Sequence, residues 1–279
     1  MALLEARGLT VSYGGLHANE SIDLDCEAGR LVGLIGPNGA GKTTFIDAIT
    51  GFTPISSGRV TFDGTDLEGL GPDRRAKLGL TRTFQSLELF EDLTVRDNLL
   101  TAVERPRWSS LLVDAVRPGR GRAAHEERID WVLDALDLRE LADRLPLDLS
   151  HGQRKLIGVA RALVARPKLV LLDEPAAGLD TAESRLLGRR LRGFLDEDIS
   201  LFLVDHDMGL VLNVCDYIYV LDFGRIITHG TPAEVRSDPA VIAAYLGERA
   251  GEAQAAQGAD PTSDDSTSEP AAAPAAGEA

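Results

Sequence analysis

The stretch that decides the fold reads Gly36-Pro37-Asn38-Gly39-Ala40-Gly41-Lys42-Thr43-Thr44. It follows the apolar run Leu31–Ile35 and precedes a segment with helical periodicity, which is the context of a strand-to-helix turn. The spacing matches the GxxxxGK[ST] pattern of a phosphate-binding loop. Glycine lets backbone N–H groups turn toward phosphate oxygens that a Cβ would keep away. We therefore predict that residues 36–44 cradle the phosphates of a nucleotide.

Two side chains of this loop have predicted roles of their own. Lys42 supplies a positive charge for the β- and γ-phosphates, and Thr43 offers a hydroxyl to Mg²⁺. The positive end of the following helix dipole lies at the same place and favours the same anion. The loop therefore predicts a nucleoside triphosphate bound together with Mg²⁺.

A second motif places the pair Asp173-Glu174 at the end of the apolar run Leu169–Leu172. Adjacent side chains of a strand point in opposite directions, so the two carboxylates can serve different purposes. We predict that Asp173 reaches the metal and that Glu174 acts as general base toward an attacking water. These two motifs also fit kinases, GTPases, helicases and recombinases, so they do not decide among those classes.

Short apolar runs alternate with helical patterns along most of the chain. The runs Leu31–Ile35, Leu169–Leu172 and Leu201–Val204 are apolar throughout, as expected of strands buried on both faces of a mostly parallel sheet. Tyr217–Leu221 is a further predicted strand, closed by a turn at Gly224. The alternation predicts an α/β fold.

Two parts of the chain depart from this alternation. Leu3–Tyr13 and Arg59–Phe62 favour an antiparallel β subdomain. From about residue 87 to 150 the pattern is helical, and Val95–Val103 and Glu126–Leu138 are its clearest helices. This stretch predicts a separate helical subdomain.

One segment inside the helical part is broken by Pro and Gly. Within Arg105–Arg122 apolar residues recur at helical spacing, which favours a short amphipathic helix, but a solvated loop is the preferred interpretation. Contact between the arginines of this segment and an acidic partner is a secondary alternative.

The charge of the chain is strongly negative and unevenly distributed. The formal net charge is −15, and the residues from Gly251 onward contribute six acidic side chains and no Lys or Arg. The remaining −9 argues against binding nucleic acid through its phosphates. The end of the chain is rich in Ala, Pro and Ser, and it lacks the apolar surface needed to offset chain entropy. We expect one domain over residues 1–247 and a disordered acidic tail over residues 248–279.

The cysteines and the apolar runs indicate where in the cell the chain is expected to lie. Cys26 and Cys215 lie far apart in the sequence and belong to no metal-binding motif, so buried, reduced thiols are expected. The first residues lack the pattern of a signal peptide, and no apolar run approaches the roughly 20 residues that span a bilayer. We expect a soluble cytoplasmic chain, and any membrane role must come through a partner.

A third motif, Leu149-Ser150-His151-Gly152-Gln153, lies shortly before the Asp-Glu pair. Ser150 is a favourable N-cap, and a helix is expected from there to about Ala165. In this order the three motifs resemble those of the ABC ATPases, and the resemblance covers nearly all of residues 3–247. The pentapeptide is similar to the LSGGQ signature of that family, with His151 in place of the first glycine.

The resemblance implies roles for four further residues. Tyr13 stands where the family stacks an aromatic ring on adenine, although a half-buried strand Tyr is the competing account. Gln85 resembles the glutamine that touches Mg²⁺ and water. Asp180, in Ala177–Asp180, belongs to a loop that crosses a dimer interface. His206 resembles the switch histidine that contacts the γ-phosphate.

The family also implies a head-to-tail dimer that binds ATP between two copies. The phosphate-binding loop, Gln85, Asp173, Glu174 and His206 are then expected to act in one subunit. The residues expected to act on the nucleotide of the opposite subunit are Ser150, Gly152, Gln153 and Asp180. A side chain at His151 is compatible with this arrangement if it points away from the phosphate, and we interpret it as a subtype marker.

Four stretches resemble one branch of the family, the ATPases of branched-chain and hydrophobic amino-acid importers. They are Leu89–Leu99, Asp205–Met208, Val220–Gly224 and Val241–Gly247. This likeness implies membrane-spanning permeases as direct partners and an extracytoplasmic solute-binding protein as an indirect partner. It also implies that the chain forms either a homodimer or a heterodimer with a second, similar ATPase. The expected location is the cytoplasmic face of the membrane.

Other functions stay open at this point. Related ABC ATPases that drive urea or amide import or lipid export share much of the pattern, and lipid export is the main competitor. A soluble ABC ATPase of repair or translation usually carries two cassettes or a coiled-coil insertion, which this chain lacks. A P-loop kinase or GTPase would lack Ser150–Gln153 and His206.

Overall fold

The computed structural model describes residues 2–83, 89–103 and 120–245. The strands of these residues are β1 (Ala2–Tyr13), β2 (Leu16–Glu27), β3 (Leu31–Ile35), β4 (Ser57–Phe62), β5 (Thr65–Asp66), β6 (Leu80–Arg82), β7 (Leu169–Asp173), β8 (Ser200–Val204), β9 (Tyr217–Asp222) and β10 (Arg225–Gly230). They form two sheets, a four-stranded one in the order β2-β1-β4-β5 and a six-stranded one in the order β10-β9-β3-β8-β7-β6.

The helices connect and cover these strands. They are α1 (Lys42–Thr50), α2 (Pro72–Leu78), α3 (Val95–Val103), α4 (Arg120–Ala135), α5 (His151–Leu163), α6 (Thr181–Gly193), α7 (Met208–Val214) and α8 (Pro232–Ser237). A further helical stretch covers residues 239–245. Short 3₁₀ turns lie at Arg139–Leu141, Pro146–Asp148 and Phe194–Glu197.

The six-stranded sheet is parallel except at one edge. Strands β3, β6, β7, β8 and β9 pair in parallel, and β10 returns antiparallel to β9. The three predicted apolar strands lie in it side by side, and every residue of β3, β7 and β8 is buried. The strand predicted at Tyr217–Leu221 is also confirmed, as β9. The carboxyl ends of β3, β8, β7 and β6 therefore meet at one edge of the sheet.

Alternate residues of these strands enter two different hydrophobic cores. In β8, Leu201 and Leu203 pack with the helices on one face, while Phe202 and Val204 pack with the four-stranded sheet on the other. The period of two along a strand explains this division. It also explains why the run is apolar at every position, because neither face is left for a polar side chain.

The antiparallel region is confirmed. Strand β1 pairs antiparallel with both β2 and β4, with Leu4 opposite Cys26 on one side and Phe62 on the other. Its apolar side chains, with those of α1, fill the second core. Cys26 and Cys215 are buried free thiols, as predicted, and burial raises the pKa of Cys26 to about 12.

The helical part is confirmed for the described residues, but both boundaries of one helix differ from the prediction. Helix α3 has the predicted bounds and packs against α4 and α5. Helix α4 begins earlier than expected and ends at Ala135 rather than at Leu138. Asp137 adopts a left-handed φ of 53°, and the Leu138 N–H donates to the Leu133 carbonyl oxygen at 2.7 Å, which closes the helix end.

Several predictions concern residues outside the described ranges. They are the helix or loop within Arg105–Arg122 as far as residue 119, the glutamine Gln85, and the tail over residues 248–279. Among the helices of the described residues, none is both long and apolar enough to cross a bilayer.

A buried arginine stabilises the far end of helix α1. The Arg75 guanidinium donates to the carbonyl oxygens of Ala48 and Ile49, at 2.8 and 2.6 Å, in the last turn of α1. It also donates to the carbonyl oxygens of Leu70 and Leu67, at 2.8 and 3.0 Å. The Ala48 and Ile49 carbonyls belong to the last turn of the helix, where the negative end of its dipole favours a cation.

We expect Arg75→Met to lower the free energy of unfolding by about 3 kcal/mol, because the replacement fills the space but leaves four carbonyl oxygens without their charged donor. Urea unfolding followed by circular dichroism measures this change. The neighbouring Arg74 is exposed, so Arg74→Met should change the same quantity by less than about 0.5 kcal/mol. Equal effects of the two substitutions would contradict the assignment.

Candidate active site

The loop over residues 36–44 joins the end of β3 to the start of α1, as predicted. A Cβ added to Gly36 would lie 2.0 Å from the Leu221 carbonyl oxygen, and one added to Gly41 would lie 2.4 Å from the Ala18 carbonyl oxygen. Gly41 also has a φ of 103°, which side chains rarely tolerate. The loop is thus packed closely on β2 and β9 and can keep its backbone N–H groups in a set arrangement.

Lys42 and the threonines lie at the first turn of α1. The Lys42 side chain is buried, and its Nζ donates to the carbonyl oxygens of Gly36 and Pro37 at 2.6 and 2.9 Å. The ammonium group is therefore held against the loop itself. Thr43 is exposed and Thr44 half-buried at the helix N-terminus. This places a cation, a hydroxyl and the positive end of a helix dipole together.

The carboxylates predicted to act on metal and water follow at the end of β7. Asp173 is buried, and its N–H donates to the Thr83 Oγ1 at 3.0 Å. Glu174 has a left-handed φ of 45°, a strained conformation for this residue type. Its N–H donates to the Val204 carbonyl oxygen at 2.8 Å, and its own carbonyl oxygen accepts from Lys155 Nζ at 3.0 Å. Both backbone groups of the strained residue are thus fixed.

The environment of Asp173 disfavours its charge. Burial raises the pKa of its carboxyl group to about 6, and the positive charge of Arg82 opposes this rise. Within the described part of the chain, its Oδ2 atom accepts no hydrogen bond, although it lies 3.5 Å from Arg82 Nη2. A buried carboxylate oxygen in this condition gains from a nearby cation.

His206 and Glu174 are brought together from neighbouring strand ends. The His206 Nδ1 lies 3.5 Å from Glu174 Oε1 and 3.7 Å from Asp205 Oδ1. The His206 side chain is 52% exposed, so its ring also faces the open side of the site. The carboxylate predicted to act as base and the histidine predicted to contact the γ-phosphate thus share one edge of the sheet.

Tyr13 ends β1 with its ring open to solvent. Its residue is 55% exposed, and its hydroxyl lies 3.4 Å from the Thr53 Oγ1. The expectation of a half-buried strand Tyr therefore does not hold, and a ring available for stacking agrees with the other account. Gln85, which was predicted to touch Mg²⁺ and water, lies outside the described residues.

The signature forms the start of α5. Ser150 is the N-cap, and its side chain and that of Gln153 complete a reciprocal capping box. A Cβ on Gly152 would lie 2.8 Å from the Leu179 side chain, and one on Gly178 would lie 3.2 Å from the His151 ring. Within one chain, therefore, His151 packs on the loop that follows β7. The predicted contacts of Ser150, Gly152 and Gln153 with a second copy's nucleotide stay predictions.

Asp180 has a structural role in the described chain. Its carboxylate caps α6 by accepting from the N–H groups of Ala182 and Glu183, at 2.7 and 2.8 Å. Glu183 completes the capping box by accepting from the Asp180 N–H. The cap shapes the 177–180 loop, and a contact across a dimer interface is an additional role that stays a prediction.

Sequence analysis did not identify two side chains that contact this site. Arg82 pairs with Asp173, and Lys155 binds the Glu174 carbonyl oxygen. Arg82 lies three residues before Gln85, and Lys155 lies two residues after the signature. Their positions within or next to motifs were the available signal, but their targets are distant in sequence and only the fold brings them close.

A cleft of ≈ 490 Å³ opens beside the two carboxylates. It lies between the six-stranded sheet and the helical part, and it reaches Asp173 and Glu174. Its wall includes apolar and basic side chains, among them Phe52, Arg82, Leu89, Ala102, Lys155 and Arg161.

Comparison with known families gives two matches. The family described as ABC transporter matches residues 19–177. The family described as branched-chain amino acid ATP-binding cassette transporter matches residues 225–251. The second match includes Val241–Gly247, one of the stretches that resembled the amino-acid importer branch.

Individual ABC transporter proteins are also similar to this chain over most of its length. The chain is 37% identical over 252 residues to the high-affinity branched-chain amino acid transport ATP-binding protein BraF of Pseudomonas aeruginosa, covering 88% of this chain and 98% of that one. It is 34% identical to the lipopolysaccharide export system ATP-binding protein LptB of Escherichia coli, covering 89% and 98%. The crystal structure of the ADP conformation of MJ1267, an ATP-binding cassette of an ABC transporter, superposes with a TM-score of 0.77 at 31% identity, covering 89% and 100%.

These likenesses cover 88% and 89% of this chain, and the solved structure is an ATP-binding cassette, so the predicted α/β fold of an ABC ATPase is confirmed. The chain belongs to the ABC transporter family, as one of its ATP-binding, ATP-hydrolysing subunits.

Proposed function

We propose that this chain is the ATP-hydrolysing motor of an ABC importer for branched-chain or other hydrophobic amino acids. The observation that carries the motor is the meeting of the phosphate-binding loop, Asp173, Glu174 and His206 at one edge of the six-stranded sheet. The observation that favours the cargo is the match of residues 225–251 to the amino-acid branch.

Export of a lipid is the second candidate, because LptB is also similar over most of this chain. Import of urea or short amides is a third. The identity to BraF is slightly higher, and the match at residues 225–251 points to amino acids. We therefore rank import of hydrophobic amino acids first.

The proposed ATP hydrolysis uses the phosphate-binding loop, one carboxylate and one histidine. The loop's N–H groups and Lys42 hold the phosphates, and their positive charge offsets the negative charge that develops on the transferred phosphoryl group. Glu174 accepts a proton from the attacking water as general base. His206, 3.5 Å from the Glu174 carboxylate, orients that base and reaches toward the γ-phosphate.

The residues present fit Mg²⁺. The Thr43 hydroxyl is exposed at the start of α1, and the buried Asp173 Oδ2 accepts no hydrogen bond from the described residues. Mg²⁺ in nucleotide sites binds one or two protein carboxylates together with substrate phosphates, and it usually keeps several waters. We propose Thr43, Asp173 and Gln85 as its protein ligands. Bound there, Mg²⁺ would neutralise charge on the phosphate oxygens.

We propose that two such subunits, either identical or similar, sandwich ATP. Ser150, Gly152, Gln153 and Asp180 of one subunit would face the phosphates held by the other. ATP would then bind the closed dimer more tightly than the open one, and this difference in affinity would drive closure. Hydrolysis would remove the difference and let the dimer reopen.

Membrane-spanning permeases are the partners that a transporter subunit implies. We propose that they dock in the cleft beside Asp173 and Glu174, whose apolar and basic wall suits a short permease segment. An extracytoplasmic solute-binding protein would act indirectly. The chain would then lie on the cytoplasmic face of the membrane, with residues 1–247 as the ATPase domain, about 87–150 as its helical subdomain, and 248–279 as an acidic tail.

The transport assignment is tested by extracting the Glu174→Gln protein from native membranes in mild detergent with ATP and identifying its companions by mass spectrometry. Two importer-type permeases, with or without a second ATPase, are expected. Lipid-export partners would overturn the proposed cargo and keep the motor. Companions that include no membrane protein would overturn the transporter assignment.

We expect Glu174→Gln to lower kcat for ATP hydrolysis at least about 100-fold, because the amide cannot accept the proton of water. ATP binding should persist, so the variant should accumulate as an ATP-dependent dimer in size-exclusion chromatography with light scattering.

The control for this substitution is Glu68→Gln, which removes the same charge at an exposed position in another part of the chain. It should leave kcat unchanged. Rapid turnover by the Glu174→Gln protein would disprove the assignment of the base.

We expect Tyr13→Ala to raise KM for ATP about tenfold, since ring stacking on a base contributes roughly 1–3 kcal/mol. Tyr13→Phe should keep the wild-type KM, because the hydroxyl makes only a long contact with the Thr53 Oγ1, at 3.4 Å. Steady-state ATPase assays measure both values. If Phe and Ala raise KM equally, the ring does not stack on adenine.

A further inference from the structure

Arg82 is a buried cation that joins three parts of the active site. It ends β6, and its side chain is 8% exposed. One guanidinium nitrogen, Nη1, pairs with the Asp47 carboxylate and lies 3.3 Å from the Thr50 Oγ1, both on α1. The other, Nη2, lies 3.5 Å from Asp173 Oδ2 at the end of β7.

Other contacts fix the plane of this guanidinium. Its Nε donates to the Thr83 carbonyl oxygen at 3.3 Å, and its carbon lies 5.4 Å from the centre of the Phe52 ring. The threonine that accepts from Arg82 also binds the N–H of Asp173 through its hydroxyl, at 3.0 Å. The end of β6 therefore contacts both the backbone and the side chain of Asp173.

This geometry suits a planar cation that lies between two carboxylates. Helix α1 starts with Lys42 and carries Asp47 five residues later, so the position of Asp47 depends on that of the phosphate-binding loop. Asp173 lies on a different strand, and the two nitrogens of one planar group reach both carboxylates at once. A lysine ammonium is a point charge on a flexible stem and cannot hold both in a set relation.

We propose that Arg82 is a positioning residue, which holds Asp173 at a set place relative to the phosphate-binding loop and so prepares the carboxylate to receive Mg²⁺ bound to ATP. The inference rests on the proposed role of Asp173. It assigns Arg82 no contact with the nucleotide. Loss of Arg82 should therefore affect the part of nucleotide binding that depends on Mg²⁺ and should spare the part that depends on the loop alone.

The test measures binding of a fluorescent ATP analogue by anisotropy, with Mg²⁺ and with EDTA, in the full chain carrying Glu174→Gln so that nucleotide is not consumed. The Mg²⁺-dependent gain in affinity should fall about tenfold in Arg82→Lys, in the range found when a partner of a metal ligand is removed. Affinity in EDTA should stay the same. In chains that keep Glu174, KM for ATP in Mg²⁺ should rise in line with the lost affinity, and kcat should fall.

Two further variants separate positioning from simple charge balance. Asp47→Asn removes the anchor of Arg82 on α1 and leaves every proposed ligand in place, so it should also reduce the Mg²⁺-dependent gain. In Arg82→Met with Asp47→Asn, the urea midpoint should recover relative to Arg82→Met alone, since one uncompensated charge is gone. The Mg²⁺-dependent gain should not recover.

The matched control is Arg59→Lys, because Arg59 pairs with Asp66 at an exposed position on the antiparallel sheet. It should bind the analogue like the wild-type chain.

If both Arg82→Lys and Asp47→Asn keep the wild-type gain in affinity on adding Mg²⁺, the inference is overturned and the proposed function still stands. Equal losses with Mg²⁺ and with EDTA would also overturn it, since they would indicate a general structural role. Absence of binding in the unsubstituted chain would instead count against the proposed function.

Discussion

The parallel pairing of β3, β8 and β7, with both faces of the sheet buried, is the constraint on which the rest of the structure depends. Because consecutive residues of each strand enter opposite cores, a slip of one position would exchange the two sets of side chains. The register is therefore strongly specified. Once it is set, the three strand ends lie next to one another, and the residues that follow them form the site.

The site departs from the rules that govern the rest of the fold. Glu174 has a left-handed backbone, and Asp173 is a buried carboxylate whose pKa burial raises. Both departures are unfavourable by themselves, and both are offset by neighbours. Backbone hydrogen bonds to Val204 and Lys155 fix the strained residue, and Arg82 supplies a compensating charge. Backbone strain and buried charge thus occur together at the proposed catalytic residues, as expected of a functional site.

Helix α1 is restrained at both ends, which matters because it carries the phosphate-binding loop. Its start follows a loop that has no space for a Cβ at Gly36 or Gly41, and its last turn is bound by the Arg75 guanidinium. Asp47 and Arg82 connect its middle to the end of β7. The helix is therefore linked through Arg82 to the Asp173 carboxylate, which connects the proposed phosphate site to the proposed metal site.

The sequence by itself determined the strands of the parallel sheet, the antiparallel region, helix α3 and the identity of the nucleotide motifs. These rest on local information: apolar runs, helical periodicity, and short motifs whose backbone demands are met by neighbouring residues. The predicted end of α4 was wrong by three residues, because Asp137 closes the helix in a left-handed conformation and no Gly in the sequence signals that position. The tertiary structure alone decided the pairing of Arg82 with Asp47 and Asp173, the contact of Lys155 with Glu174, and the packing of His151 on Gly178. Each joins residues that lie far apart in the chain, and distance in sequence carries no information about which side chains a fold brings within a few ångströms.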